Sequence, residues 1–213
     1  MEIALLLRET MFINGILNNA EAWYGLSKSE ISDLEQLDRL LLRKILKAPV
    51  STPQEALHLE LGLIPIGVII QAKRINFLHY IISRSESEMI HQFFTSQWLN
   101  PTRGDWTETV KGDLEDFNIP IKLEEIKKRS KESFKNEVKR KAKEYSMKLL
   151  LLKKAKHSKM DNLEYEDLHI QDYFKLDSVT TSEVQEAFRF RTRMVKLGEN
   201  FRGQGGGSLV PPM

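Results

Sequence analysis

The sequence predicts an all-α protein, a multi-helix bundle with one long basic amphipathic helix and a disordered C-terminal tail. Three observations carry that expectation. Apolar residues recur at spacings of three and four along most of the 213 residues. Ser, Thr or Asp followed three residues later by Glu stands ahead of several of these runs, a helix-start signal. Alternating β-branched residues persist nowhere beyond a few positions.

Taken in order, Leu6, Ile13, Leu17 and Ala20 predict a first helix over Ile3 to Tyr24, with Gly25 as its left-handed stop. Ser27 and Glu30 form a capping box for a second, whose stripe Ile31, Leu34, Leu37, Leu41, Ile45 ends at Pro49. Thr52-Pro53-Gln54-Glu55 repeats the signal with proline at the first helical position, and Gly62 closes that short helix. Pro65 opens another to about Ser83, and Ser85 with Glu88 boxes the next, through Trp98. After the turn Asn100 to Gly104, Asp105 caps a helix to Phe117, which Asn118-Ile119-Pro120 breaks. A short helix over Leu123 to Lys128 leads to the longest one, Ser130 to about His157, with the stripe Phe134, Val138, Ala142, Tyr145, Leu149, Leu152. From Ser158 to Ser178 the period weakens, with room for a turn or two of helix, before Thr180 and Glu183 box a last helix carrying Val184, Ala187, Phe188, Met194 and Leu197. The Gly/Pro-rich tail from Gly198 is too poor in apolar groups to fold alone. These breaks divide the chain into a helical region over 1–118, a basic helical linker over 119–159, a C-terminal helical segment over 160–202 and a tail over 203–213.

Composition excludes several kinds of chemistry. With no cysteine there is no disulfide framework, thiolate zinc site, iron–sulfur cluster or cysteine nucleophile. The longest apolar stretches, around Leu61–Ile70 and Leu149–Leu152, fall short of the roughly 20 residues that span a bilayer. Glu2 and Arg8 bracket a start that reads as the first turns of a helix, not an export signal, so the expected setting is intracellular, nuclear or cytoplasmic. The five histidines are scattered, the glycine-rich run after Gly203 lacks the lysine and helix of a phosphate loop, and no carboxylate pair stands out as acid and base. No catalytic residue, metal or cofactor is expected. Leu37-Asp38-Arg39-Leu40-Leu41 has the spacing of a short docking motif, with core packing as its default reading.

Charge is where the sequence speaks. Lys+Arg 32 against Asp+Glu 30 gives a formal net charge of only +2, yet it is segregated. Lys122 to Lys159 holds fifteen basic and five acidic residues, a net +10, and the remainder carries −8. Lys127, Lys128, Arg129, Lys131, Lys135, Lys139, Arg140 and Lys143 crowd the front of the long helix, and Lys153 and Lys154 its end. Such a face can bind a phosphate backbone by releasing its condensed counterions. A solvated lysine surface balanced by acidic segments elsewhere would have the same composition. A smaller cluster, Arg189, Arg191 and Arg193, alternates with Phe188 and Phe190, residue types that grip phosphate and stack on bases, although some of the phenylalanines belong in the core.

Several stretches together resemble one family: Leu6 to Leu46 (LLRETMFINGILNNAEAWYGLSKSEISDLEQLDRLLLRKIL), Thr52 to Ile81 (TPQEALHLELGLIPIGVIIQAKRINFLHYI), Asn100 to Trp106 (NPTRGDW) and Phe188 to Met194 (FRFRTRM). They are similar to the thumb and helical linker that follow the palm in non-LTR (LINE-type) retrotransposon reverse transcriptases. The resemblance covers about residues 3 to 205 and implies contact with template RNA and target DNA, with a reverse transcriptase palm as a further partner. The chain departs from the family pattern in having no Tyr/Phe-x-Asp-Asp motif and no Cys pair after Arg202. The resemblance therefore implies a non-catalytic fragment, left by truncation or degeneration of a longer reading frame, that binds RNA or DNA through its Lys/Arg-rich helix and not a membrane. The alternative is a helical protein-interaction module whose apolar segments, Ile3 to Leu7 and Leu61 to Ile70, pack on a separate catalytic domain.

Overall fold

The computed structural model describes residues 2–176 and 179–193. Among them the regular structure is helical, with one isolated antiparallel bridge between Leu61 and Ile170. The helices are α1 (Glu2–Leu7), α2 (Asn14–Ile16), α3 (Lys28–Leu46), α4 (Gln54–Leu61), α5 (Ile66–Ile82), α6 (Met89–Leu99), α7 (Trp106–Asp116), α8 (Leu123–Lys127), α9 (Lys131–Lys154) and α10 (Thr181–Arg191). Short 3₁₀ turns lie at Ala20–Ala22, Ser158–Met160 and Asp172–Phe174. The all-α expectation holds. The expected tail, together with Met194 and Leu197, lies outside the described residues.

Helix α5 is the hub. Its buried residues include Ile66, Val68, Ile70, Ile75, Leu78, Ile81 and Ile82, a pattern apolar around most of the circumference, as a helix packed on several sides requires. One apolar cluster joins α5 to Phe94 of α6, Val110 and Leu114 of α7, Ile126 of α8, and Phe134, Val138 and Ala142 of α9. That cluster draws on both sides of the 118/119 division. A second joins Ile66 and Ile70 to Ile13, Leu17 and Ala20 near the N-terminus. On α4, Leu57 and Leu61 pack with Leu42, Leu46, Val184 and Phe188, while Ala56 and Leu59 meet Met147, Leu150, Met160 and Leu168. No single described helix is long and apolar enough to cross a membrane; α4 and α5 would be so only together, across a 58° bend.

Capping accounts for the boundaries that the sequence shows. Ser27 with Glu30 and Thr180 with Glu183 form complete capping boxes, each side chain accepting from the other's backbone N–H. At α7, Asp105 accepts from the backbone N–H of Glu108 and of Thr102, both at 2.7 Å. These bonds hold its carboxyl down at about 2, against the burial that opposes them. At α4, by contrast, Pro53 is the cap itself and Thr52 Oγ1 is buried without a partner. Ser85 and Glu88 close a turn ahead of α6, and Glu88 is the N-cap.

The first helix is not the continuous element expected. Arg8–Ile13 is π-helical, the α-helical winding ends at Ile16, and Asn19 sits in the left-handed region at φ 57°. Asn tolerates that conformation. Side chains from elsewhere take the carbonyls that a longer helix would have used: Lys73 Nζ donates to Leu17 O at 3.0 Å, and Trp106 Nε1 to Glu21 O at 2.9 Å. Leu6 is consequently exposed with Ile3 and Met11, whereas the Leu61–Ile70 stretch is buried at Leu61, Ile66, Val68 and Ile70.

Two stripes are also rotated from expectation. On α3 the buried positions are Asp38, Leu42 and Leu46, and Leu37 and Leu40 are half-exposed, so the docking-motif leucines are not core. On α9, Leu152 is 62% exposed while Met147 and Leu150 are buried, because the second half of the helix packs on α4 and the 158–168 segment. That helix also stops at Lys154, ahead of His157, and α10 stops at Arg191.

Candidate nucleic-acid interface

Helix α9 begins where Ser130 accepts from the Ser133 backbone N–H, and Phe134, Val138 and Ala142 fasten it to α5. His79 of α5 stacks on Phe134 with ring centroids 4.9 Å apart, and its Nε2 donates to the Arg129 carbonyl at 3.0 Å. The start of α9 is thus locked in rotation. Lys135, Lys139 and Lys143 follow one another at intervals of four residues, so they rise along one flank in steps of roughly 6 Å. All three are exposed.

These lysines form one wall of a cleft of about 590 Å³ between α9, α5 and the π-helical segment. Its floor is apolar, made by Leu63, Ile64, Ile69, Ala72, Val138 and Ala142, and the amides of Asn76 and Asn136 border it. Arg8 and Glu9 lie on the opposite wall. Arg8 is only 2% exposed and forms a two-pronged pair with buried Asp38, Nε to Oδ1 at 2.6 Å and Nη2 to Oδ2 at 2.5 Å. That wall is anchored by an ion pair from α3.

The sequence-identified basic residues divide into three groups. Lys127, Lys128, Lys131, Lys135, Lys139, Lys143 and Lys153 are exposed, Lys154 is half-buried, and none of them has an ion-pair partner among the described residues. Arg129 and Arg140 are paired within the fold, Arg129 with Glu137 and Arg140 with Glu144 at 2.5 Å. The hydrogen bond from Arg140 holds the Glu144 carboxyl below the usual carboxylate range. The third group stands on the α10 side: Arg189 is half-buried beside Glu186, Arg193 is exposed at φ 55°, and Arg191 turns to Glu60. Phe188 is core and Phe190 is 70% exposed. No hydrogen bond or ion pair among the described residues links this group to α9.

Glu60 is completely buried, and its carboxylate accepts from Arg191 Nε at 2.9 Å, from Tyr173 Oη at 2.8 Å and from Tyr165 Oη. Burial, with the Glu60 charge adding to it, pushes both tyrosine phenols far above their ordinary range, so they remain donors. Arg191, half-buried, is engaged by this carboxylate.

Sequence reading missed the cleft itself. Asn76 and Ala72 on α5 stand about sixty residues from Asn136 and Lys139, and no local signal connects them. Compared with family models, with curated proteins and with solved structures, the chain has no match. The class that fold and site define is therefore physical: a helical protein with a lysine-walled cleft.

Proposed function

We propose that the chain binds RNA or DNA by its phosphate backbone on the lysine flank of α9, without catalysing a reaction. The role is that of a thumb-and-linker region of a non-LTR retrotransposon reverse transcriptase, which the sequence resembles. The observation that carries the reading is the row Lys135, Lys139, Lys143, exposed and without partners in the fold, on a helix whose other face is fixed in the core. A surface that evolved only for solubility intersperses both signs, as Arg140 and Glu144 do on the opposite flank. On the cleft side the three lysines outnumber the two carboxylates of the lining, Glu9 and Glu132, and none of them pairs with either. Charge left unpaired in this way is available to phosphate oxygens.

The test is a binding assay with mixed-sequence oligonucleotides at low salt. Replacing Lys135, Lys139 and Lys143 together by Glu is expected to weaken affinity by about a hundredfold. Replacing Lys28 and Lys44, exposed on α3, should have little effect. Negligible binding by the unaltered chain, or equal losses in the two variants, would overturn the proposal.

A further inference from the structure

We infer that the cleft beside α9 selects single-stranded over double-stranded nucleic acid. The inference rests on the phosphate-binding reading above and specifies its ligand. The cleft is electrostatically lopsided: Lys135, Lys139 and Lys143 outnumber Glu132 on the α9 wall, while on the other Arg8 is shared between Asp38 at 2.5 Å and Glu9 at 3.8 Å, two carboxylates to one cation. One phosphate backbone is attracted along the lysine wall, and a second strand's backbone, placed across the cleft, meets a wall where Asp38 and Glu9 together outweigh Arg8. The floor between the walls is aliphatic, which stacked and paired bases cannot reach but an unstacked base can.

The amides are placed to meet such a base. The side-chain amide of Asn136 makes no hydrogen bond among the described residues, and Asn76 donates Nδ2 to Ala72 O at 2.9 Å, which leaves its Oδ1 to accept. An amide presents a donor and an acceptor to a base edge. Aromatic side chains are absent from the cleft lining, so contact is aliphatic and amide-based, and only modest discrimination among bases is expected. A larger cleft, about 680 Å³ between α6 and α8, sets Lys127 beside Glu86 and Glu124, and its charge gives a phosphate chain no such direction.

The experiment compares fluorescence anisotropy of short single-stranded RNA and DNA with the matching duplexes, using the full chain. The unaltered protein should bind one or both single strands at least about tenfold tighter than the duplex of the same sequence. Ala72→Leu, which fills the floor, should cost single-strand affinity about tenfold and leave duplex affinity where it was. Asn136→Ala, at an exposed position with no side-chain hydrogen bond to lose, is the second variant and should lower single-strand affinity about threefold. Duplex bound as tightly as single strand, or single-strand binding indifferent to both variants, overturns the inference. If lysine-dependent binding persists in that case, the phosphate-binding reading survives it. If no nucleic acid binds at all, both fail together.

Discussion

His58 is fully buried in α4, with Asp38 of α3 beside its Nε2 at 3.8 Å and its Nδ1 donating to the Leu63 carbonyl at 3.1 Å. Burial pushes the imidazole below its ordinary 6.5, and the charge of Arg8 adds to that, while Asp38, the Leu63 carbonyl and Glu35 pull the other way. The folded protein therefore prefers neutral His58 more strongly than the unfolded chain does. Stability from this group is complete above the unfolded value of 6.5 and is lost as the pH falls below it, by up to about 1.4 kcal/mol per pH unit. Urea unfolding between pH 7 and 5 should show that decline, and His58→Asn should flatten it; parallel profiles would contradict the assignment. In the sequence the five histidines are merely scattered, and nothing there placed His58 in the core. Asp38 and Glu60 likewise gave no sign of burial, because a carboxylate enters a core only with its partners, and Arg8, Tyr165, Tyr173 and Arg191 are remote in the chain.

Elements whose limits depend on neighbouring residues were legible, and those shaped by remote partners were not. The boxes at Ser27 and Thr180 and the Asp105 cap could be placed from sequence because every group in them lies within three residues. The break after Ile16 could not, since it depends on Lys73 and Trp106. Gly62 belongs to both kinds. Its left-handed φ of 63° at the end of α4 matches the expected helix stop, but the 169–170 segment also crosses directly over it. A Cβ at this position would stand 2.3 Å from the His169 carbonyl carbon, where the Leu61–Ile170 bridge holds the two backbones together. Both the dihedral and the clash penalise a side chain, so Gly62→Ala is expected to destabilise the protein by about 2–4 kcal/mol in denaturant unfolding. A loss below about 0.5 kcal/mol would show that the crossing segment does not hold this position.

At the scale of the whole molecule, segregation of charge along the sequence becomes segregation in space. Helix α9 carries its lysines outward because α5 holds Phe134, Val138 and Ala142 inward, and the cleft arises where the π-helical segment approaches the same two helices. Periodicity was enough to foresee the basic helix and the buried face of its first half, Phe134, Val138 and Ala142. It could not foresee that Arg129 and Arg191 are engaged within the fold, because Glu137 lies eight residues from Arg129 and Glu60 is remote from Arg191, whereas Arg140 and Glu144 pair at the local i,i+4 spacing. What remains for a ligand is a narrower set, centred on Lys135, Lys139 and Lys143. The most direct measurement is the dependence of nucleic-acid affinity on salt for the unaltered chain and for Lys135→Gln/Lys139→Gln/Lys143→Gln. Binding through these ammonium groups requires the logarithmic slope to become shallower by about 2 to 3 in the triple variant. Identical slopes would show that the phosphate backbone does not lie on α9.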